Sequence, residues 1–401
     1  MEEFDIAIIG GGLVGASLAL ALAAGGRRSV LIEAVSPDSS AHRSFDERTT
    51  ALGNASRRIL EALGVWDGVR GHCGVIRTIH VSDAGRLAFA RLDAREQGID
   101  AFGYVVPNRV LGQALWDQVQ ANPAISIRMP AQVTSLTTDP HGATVTLAGD
   151  PGERLRARLA VAADGAHSAV RRDAGIAAIE ADYGQIAIVA NVAADVPHDG
   201  TAYERFTAAG PLALIPLSDG SFTVVWARAP ADAAVTLAAP DEEFLALLQQ
   251  HFGWRVGRFV RVGRRASYPL KLTRAATTVA ERTVLIGNAA QSLHPVAGQG
   301  LNLALRDVAA LAELLAGQDD PGLPQLLERF ARERAADRRG VMRFTDGLIR
   351  MFGDTRLPVR AVRDAGLLLF DLLPPAKAAL SRVSLGFGSH APRLARGLPL
   401  R

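Results

Sequence analysis

A glycine-rich turn near the N-terminus constrains the fold of this chain more than any other segment. Gly10, Gly12 and Gly15 lie between a short apolar run at residues 4–9 and an apolar, small-residue stretch at residues 13–24. In a strand–turn–helix unit the first glycine permits the tight turn, the second lets a pyrophosphate approach the backbone, and the third lets the helix pack closely on the strand. The pattern therefore predicts a dinucleotide-binding α/β domain, with a ligand-free glycine turn as the alternative.

Residues beside this turn extend the same prediction. Leu13 and Val14 begin the helix, whose N-terminus would direct N–H groups and a positive dipole end at the pyrophosphate. Glu33 closes the next apolar segment, at residues 29–33, where its carboxylate can accept hydrogen bonds from a ribose. These residues do not distinguish NAD from FAD.

Composition narrows the class of protein. The chain has 401 residues, of which 48% are hydrophobic, which is enough for two globular domains. Cys73 is the only cysteine, so no intrachain disulfide can form and a cytoplasmic location is expected. The isolated histidines lack metal-ligand spacing, so we expect no metal site. No stretch reaches the roughly 20 apolar residues of a membrane-spanning helix, and the acidic opening argues against a secretory leader.

The basic charge is uneven along the chain. Residues 341–401 contain ten Lys and Arg against four Asp, a net charge of +6, while the whole chain carries +3. A nucleic-acid partner would require a basic patch with aromatic stacking positions, and the sequence shows neither. An anionic membrane surface fits better, so peripheral contact with the inner face of the cytoplasmic membrane is expected. Residues 359–373 could equally form a helix that packs on the first domain.

A second glycine-rich segment lies at residues 286–302. Gly287 ends a short strand-like run, Pro295 fixes a loop, and Gly298, Gln299 and Gly300 open a helix that begins at Leu301. Such a loop again directs backbone N–H groups at an electron-rich group. If that group were the pyrimidine end of a flavin ring, the N–H groups would stabilise negative charge on it and so raise the redox potential of the flavin. A tight interdomain turn without a ligand is the alternative.

A third motif follows the apolar run at residues 159–163. It contains Asp164, Gly165, Ser168 and Arg171. Taken alone, the motif is best explained as an ordinary Asp-Gly turn in which Ser168 caps a short helix. Its position favours a functional role instead, because the chain leaves the first domain directly after the motif and enters a region of short strands and turns at residues 186–272.

In this order the three motifs resemble those of the aromatic-hydroxylase group of FAD monooxygenases, of which para-hydroxybenzoate hydroxylase is the type. The Asp-Gly motif of that group, Asp-Gly-x-x-Ser-x-x-Arg, is held to contact both FAD and NAD(P)H. Residues 294–302, followed by Asp307, are similar to the signature of the ubiquinone-biosynthesis hydroxylases, except that Ala304 replaces a glycine. Asn288 stands where most of the superfamily has aspartate, which resembles the 2-octaprenyl-6-methoxyphenol hydroxylase branch.

Further positions follow from the resemblance alone. Residues 46–52 match the Asp-x-Arg-x-x-Ala-Leu pattern of that branch, in which the arginine, here Arg48, lies near the flavin. Arg109 and Gln113 occupy places where the family contacts FAD. Pro295 and Gly298 are the candidates for the flavin-ring environment. The complete set of expected cofactor-binding residues is Gly10, Gly12, Leu13, Val14, Gly15, Glu33, Arg48, Arg109, Gln113, Asp164, Gly165, Asn288, Pro295, Gly298, Gln299, Gly300, Leu301 and Asn302.

The resemblance implies a para-hydroxybenzoate hydroxylase-like architecture. We expect a Rossmann-type α/β FAD-binding domain with an inserted antiparallel β-sheet substrate domain and C-terminal helices. The patterns along the chain give these predicted boundaries: residues 1–74, 100–178 and 273–322 for the FAD-binding domain, residues 75–99 and 179–272 for the substrate domain, and residues 323–401 for the helical region.

The resemblance also implies an activity. FAD would be tightly bound, NAD(P)H would be a transient co-substrate, and O₂ would form a flavin C4a-hydroperoxide that hydroxylates a polyprenyl phenol of ubiquinone biosynthesis. Other proteins of that pathway are potential partners. Three alternatives stay open: a hydroxylase of a soluble phenol, a flavin oxidase or dehydrogenase that inserts no oxygen, and a non-catalytic FAD-binding scaffold. The sequence identifies no base that would deprotonate the phenol.

Overall fold

A computed structural model of the chain describes residues 2–36, 48–86, 89–150, 152–292, 298–353 and 391–400. The strands are β1 (Glu2–Ile9), β2 (Ser29–Ile32), β3 (Thr49–Gly53), β4 (Gly74–Ile76), β5 (Thr78–Asp83), β6 (Phe89–Asp93), β7 (Gly103–Pro107), β8 (Ile125–Arg128), β9 (Val133–Asp139), β10 (Gly142–Leu147), β11 (Arg154–Ala162), β12 (Ala178–Ala194), β13 (Thr201–Thr207), β14 (Gly210–Pro216), β15 (Phe222–Arg228), β16 (Phe259–Val262), β17 (Ala266–Ala275), β18 (Val279–Ala280), β19 (Thr283–Leu285) and β20 (Gln291–Ser292). The helices are α1 (Leu13–Ala24), α2 (Asn54–Ala62), α3 (Trp66–Val69), α4 (Asn108–Gln120), α5 (Ala169–Asp173), α6 (Pro230–Ala238), α7 (Asp241–Phe252), α8 (Gln299–Leu315) and α9 (Pro324–Gly353).

An eight-stranded sheet forms the centre of the first layer, in the order β18-β19-β11-β1-β2-β8, with β10 joining β11 to β9. Strand β1 pairs in parallel with both β2 and β11, and β11 pairs in parallel with β19. Alternate residues of β1 enter two different hydrophobic clusters: Ile6 and Ile8 pack with α1, α4 and α8, while Ala7 and Ile9 pack with β10. Burial on both faces explains why this strand is a nearly continuous apolar run.

A nine-stranded sheet forms the second layer, in the order β20-β17-β12-β15-β14-β13-β5-β6, with β16 paired to β12. Helices α6 and α7 cover one of its faces, where Trp226, Phe244 and Leu248 are fully buried. Strands β13 and β5 pair in parallel within this otherwise antiparallel sheet. A small three-stranded sheet, β3-β7-β4, lies between the two large sheets. The fold therefore confirms the predicted α/β class with an added, mainly antiparallel sheet, whereas the proposed domain boundaries stay a prediction.

Two local predictions can be compared with the structure. Asparagine is a preferred N-cap residue, so the sequence predicts that Asn108 caps α4. This prediction is wrong: Pro107 occupies the N-cap position, and the Asn108 side chain accepts a hydrogen bond from the Thr50 hydroxyl at 2.6 Å. The Asn108 side chain is buried, so its amide needs a hydrogen-bond partner, and the Thr50 hydroxyl on β3 provides one. Helix α9 begins close to the predicted position and reaches Gly353. Residues 359–373, predicted to pack on the first domain or face a membrane, lie outside the described residues.

Candidate active site

The fingerprint turn is held in a conformation that only glycine tolerates. Gly10 has a φ of +101°, and a Cβ there would lie 2.5 Å from the carbonyl oxygen of Ala163. A Cβ on Gly15 would lie 1.8 Å from the carbonyl oxygen of Gly10. The turn therefore sits directly against the end of β11, as the strand–turn–helix prediction requires.

The N-terminus of α1 is open at this turn. Gly12 occupies the N-cap position in an extended conformation, and no described side chain caps the helix. Leu13 and Val14 form its first turn, as predicted. Helix N–H groups without a capping partner are suited to bind an anionic group such as a pyrophosphate.

The carboxylate of Glu33 lies under the same turn. One oxygen accepts a hydrogen bond from the Gly11 N–H at 2.6 Å, and the other accepts from the Val35 N–H at 2.9 Å. Trp116, on α4, donates its indole N–H to the Gly11 carbonyl oxygen at 3.0 Å and is almost fully buried. The sequence did not indicate Trp116, because its contact with Gly11 depends on packing between segments that are distant in the chain. The turn is thus fixed from two sides.

The Asp-Gly motif lies against the fingerprint. The Asp164 Cα would be 2.9 Å from a Cβ on Gly10, so the two loops are in direct contact. One Asp164 carboxylate oxygen accepts from the N–H groups of Ala169 and Val170, at 2.9 and 3.3 Å. The other, Oδ1, is buried and has no hydrogen-bond partner among the described residues. Burial raises the pKa of the Asp164 carboxyl. A hydrogen-bond donor on a bound ligand would satisfy the unpartnered Oδ1.

The remaining motif residues have structural roles. Ser168 caps α5 by accepting the Arg171 N–H at 2.9 Å. The Arg171 guanidinium donates to the carbonyl oxygens of Ala166 and Ala289, both at 2.9 Å. It therefore ties the Asp-Gly loop to the late glycine segment. Gly165, with a φ of +87°, has open space where a Cβ would stand, among the described residues.

The late glycine segment approaches α1. Gly287 begins a short 3-10 turn, and a Cβ there would lie 3.2 Å from the methyl groups of Val14. Asn288 follows with an exposed side chain. The two glycine motifs, predicted from opposite ends of the chain, therefore meet at one place.

The start of α8 completes this arrangement. Gly298 is the N-cap residue in a left-handed conformation, with a φ of +59°, and a Cβ there would be 3.3 Å from that of Ala51. Gln299 is buried, Leu301 packs on the main cluster, and a Cβ on Gly300 would meet no described atom within 4 Å. Pro295, predicted to shape the flavin-ring environment, lies outside the described residues.

Asn302 has every side-chain hydrogen-bonding group engaged by the protein. Its amide nitrogen donates to the carbonyl oxygens of Ala51 and Gly298, both at 2.8 Å. Its oxygen accepts from the Gly53 N–H at 2.8 Å and the Ser56 hydroxyl at 2.6 Å. This pattern favours a positioning role, in which Asn302 fixes the start of α8 against β3 and α2.

Three other predicted residues lie around the edges of this region. Arg48 precedes β3 and stacks its guanidinium over the Tyr268 ring, 4.9 Å from the ring centroid, so it links the small sheet to the nine-stranded sheet. Arg109 is exposed on α4. Gln113, on the same exposed face, donates to the Asp117 carboxylate at 2.8 Å. The structure does not test their contact with a cofactor.

The residues present fit an elongated dinucleotide. The uncapped α1 N-terminus suits a pyrophosphate, the unsatisfied Asp164 oxygen suits a hydroxyl donor, and the α8 N-terminus lies further along with open space at Gly300. Within the described residues, no group of three His, Cys, Asp or Glu side chains could hold a metal ion. In that same part of the chain, no helix combines the length and apolarity needed to cross a bilayer.

Comparisons with known proteins agree with this geometry. A family profile described as "FAD binding domain" matches residues 3–345. The chain is 39% identical to ubiquinone hydroxylase UbiL of Rhodospirillum rubrum, over 99% of this chain and 93% of that protein. It is 33% identical to the 3-demethoxyubiquinol 3-hydroxylase of Escherichia coli, over 96% of this chain and 99% of that protein.

Solved structures share the fold. The p-nitrophenol 4-monooxygenase PnpA of Pseudomonas putida aligns with a TM-score of 0.79 at 20% identity, covering 97% of this chain and 100% of PnpA. PqsL of Pseudomonas aeruginosa aligns with a TM-score of 0.76 at 23% identity, covering 92% of this chain and 100% of PqsL. The architecture predicted from the three motifs is therefore confirmed.

Proposed function

Because the chain belongs to the family of FAD-dependent hydroxylases of ubiquinone biosynthesis, we propose that it hydroxylates a polyprenyl phenol, with NAD(P)H and O₂ as co-substrates. The enzyme is an FAD-dependent monooxygenase. Its proposed substrate is 2-octaprenyl-6-methoxyphenol, because Asn288 stands at the position that distinguishes that branch. The flavin oxidase and scaffold alternatives raised by the sequence lose their support with the family assignment.

One observation carries the proposal: the Asp-Gly loop and the turn at Gly287 come from distant parts of the chain, and both lie against the fingerprint turn and the start of α1. Gly287 contacts Val14, and Asp164 contacts Gly10. Bound FAD would supply the redox and oxygen chemistry. The protein would bind the pyrophosphate at α1, accept a cofactor hydroxyl at Asp164, and stabilise negative charge on the flavin ring from the N-terminus of α8.

A transient role for NAD(P)H follows from the same geometry. The described residues contain a single glycine fingerprint of the dinucleotide type, and we assign it to FAD. NAD(P)H must then bind elsewhere for the time needed to reduce the flavin. The Asp-Gly loop is the proposed contact, because Gly165 is open to the cleft beside Asp164.

Substrate chemistry suggests contact with a membrane. A polyprenyl chain partitions into the bilayer, so the enzyme needs access to a lipid surface, which we propose is the inner face of the cytoplasmic membrane. The net positive charge of residues 341–401 supports this proposal. An open cavity of about 490 Å³, bordered by Arg86, Arg205, Arg255 and the exposed Trp254, also supports the proposed membrane contact. Cosedimentation with anionic but not zwitterionic vesicles would test it.

Deletion in the native host tests the function and the substrate together. We expect loss of ubiquinone and accumulation of 2-polyprenyl-6-methoxyphenol, detected by mass spectrometry. Accumulation of a demethoxyubiquinol would instead favour the second candidate substrate, which is suggested by the 33% identity to the E. coli 3-demethoxyubiquinol 3-hydroxylase. Unchanged ubiquinone would remove the proposal.

Purified enzyme tests the oxygen chemistry. NAD(P)H oxidation should be stimulated by a prenylated phenol, and label from ¹⁸O₂ should appear in the product. Stimulation by small soluble phenols alone, without turnover of prenylated ones, would support the soluble-phenol alternative.

A further inference from the structure

The second face of the nine-stranded sheet is not covered by α6 or α7. Side chains that alternate with the buried cluster residues of β12, β14 and β15 point to this face. Their register places Val189, Val225 and Ala213 side by side across the three strands. On the neighbouring strands, Glu204 of β13 pairs with Ala213, and Val81 of β5 pairs with Glu204. One carboxyl group therefore lies in a row of otherwise apolar side chains.

This face is directed at the proposed flavin site. Ala202, two residues before Glu204 on the same side of β13, belongs to the same hydrophobic cluster as Ala51. Ala51 in turn borders Gly298 at the start of α8. The Thr49 hydroxyl donates to that of Thr223 on this face at 3.1 Å, which fixes β3 against the sheet.

The surroundings of Glu204 are apolar but not closed. Val81, Val189, Glu204 and Val225 are all half-buried, whereas most of the alternating residues on the other face of β12, β14 and β15 are fully buried, so the row lines a cleft. Glu204 has no hydrogen-bond or ion-pair partner among the described residues, and burial is the only cause of its shift in pKa.

The neighbours of Glu204 along the row, Val81 on β5 and Ala213 on β14, carry no charge. The charged residue on the same face of β5 is Asp83, which is buried two residues after Val81. Helix α9 packs against β13 and β14; its Arg339 and Arg343 are exposed, and its buried Arg334 and Arg338 are paired with Asp307. An unpaired carboxyl in an apolar cleft adds no stability to the fold; its position suits a ligand instead.

We propose that Glu204 binds the phenolic hydroxyl of the substrate and accepts its proton. This assignment rests on the proposed hydroxylase function. The phenol O–H bond breaks, the proton moves to a Glu204 carboxylate oxygen, and the electron pair stays on the phenolate, which enriches the ring carbon that is to be oxygenated. As the hydroxylated ring regains aromaticity, Glu204 returns the proton to that oxygen while the ring carbon releases its own proton to water.

The acidity of Glu204 is matched to this role. Burial raises the pKa of its carboxyl to about 7. A general base works best when its pKa lies near the operating pH, because it is then both ionised and basic enough to take the proton. Phenols have a pKa near 10, so an ordinary carboxylate with a pKa near 4 would be a much weaker acceptor.

Glu204→Gln, purified with its FAD, tests the proposal with a short-chain 2-prenyl-6-methoxyphenol. In the wild-type enzyme, the hydroxylation rate should rise through about pH 7, as the Glu204 carboxyl ionises. The variant should lose this rise, and its hydroxylation rate should fall by about 100-fold, the usual contribution of a general base. Its FAD content should stay unchanged. Glu180→Gln, an exposed carboxyl on β12, is the matched control.

The outcomes separate the two proposals. If the wild-type enzyme hydroxylates no prenylated phenol, the proposed function fails, whatever the variant does. If the wild-type enzyme hydroxylates the phenol but Glu204→Gln keeps its rate and its pH profile, Glu204 is not the base. Should the Gln variant fail to fold, the wild-type pH profile decides: a hydroxylation rate that does not change between pH 6 and 9 overturns the assignment.

Discussion

Asn302 illustrates how a single buried amide can organise a ligand site without touching the ligand. Its two donated and two accepted hydrogen bonds join the start of α8 to β3 and α2. The position of Gly298, and with it the direction of the α8 N-terminus, depends on this amide. The sequence predicted that Asn302 contacts the cofactor, whereas its hydrogen bonds indicate that Asn302 positions the start of α8.

Asn302→Ala should therefore destabilise the protein by about 2–4 kcal/mol, because the Gly53 N–H and the Ala51 carbonyl would be left buried without partners. Urea denaturation of the apoprotein would measure the change. The exposed amide Gln113 provides the control, and Gln113→Ala should change stability by less than about 0.5 kcal/mol. Equal effects of the two substitutions would contradict this account of Asn302.

Gly300 allows a test of the cofactor site that leaves the fold intact. Its Cβ position is open among the described residues, so Gly300→Ala should fold normally, with apoprotein stability the same or slightly higher. If FAD passes close to this backbone, the added methyl should weaken FAD binding at least 10-fold. Gly340→Ala, at a similarly open position in α9, is the control. Fluorescence titration of the apoproteins would compare them, and unchanged affinity for both would place FAD elsewhere.

At the scale of elements, α8 and α9 are joined by a buried ionic cluster. Asp307 is fully buried and accepts hydrogen bonds from Arg334 at 2.6 Å and Arg338 at 3.1 Å. Arg306 adds a contact to Asp337 at 2.9 Å. Asp307 appeared in the sequence as part of a family signature, and the structure gives it the role of holding α9 on α8.

Asp307→Ala should cost about 3–5 kcal/mol, since it leaves the buried Arg338 without a carboxylate and the buried Arg334 with Asp337 alone. Thermal denaturation would register the loss. Glu328 and Arg332 form an exposed pair on α9 at 3.4 Å, and Glu328→Ala should cost less than about 1 kcal/mol. A small effect of Asp307→Ala would mean that α9 is held mainly by apolar packing.

Features that depend on residues close together in the sequence were predictable, whereas contacts between distant residues were not. The glycine turns were predictable because tight turns and helix starts depend on local backbone geometry, as at Gly10 and Gly298. Asn108 was misassigned because a tertiary contact with Thr50 outweighed its preference for a cap. Trp116 and Glu204 were missed because their roles depend on packing and strand register between distant segments, which periodicity alone does not reveal.

At the scale of the whole molecule, two large sheets enclose the proposed reaction space. The small sheet β3-β7-β4 joins them, and Gly74 allows a close approach, since a Cβ there would lie 2.1 Å from the Pro216 carbonyl oxygen. The Arg48 guanidinium stacked on the Tyr268 ring is a second contact between the small sheet and the nine-stranded sheet. The eight-stranded and nine-stranded sheets are therefore held in a defined relation, as the exclusion of water from the proposed reaction would require.

Ligand-linked stability should distinguish FAD from NAD(P)H. FAD at 100 times its dissociation constant should raise the unfolding free energy by about 2.7 kcal/mol, because it binds the folded state alone. NADPH at the same concentration should raise the melting temperature of the apoprotein much less, since it has no fingerprint of its own. Differential scanning calorimetry with each ligand would measure both shifts. An equal or larger shift with NADPH would mean that the fingerprint binds the nicotinamide cofactor.

The parallel pairing of β11 with β19 has a consequence for how the protein is made. Ala160 lies beside Thr283, so the nucleotide-binding sheet stays unfinished until a segment far along the polypeptide has left the ribosome. Pairings of such long sequence separation form slowly. If FAD binds at these motifs as proposed, a nascent chain can retain the coenzyme only after more than two thirds of the polypeptide has been synthesised, and loading becomes a late event in biogenesis.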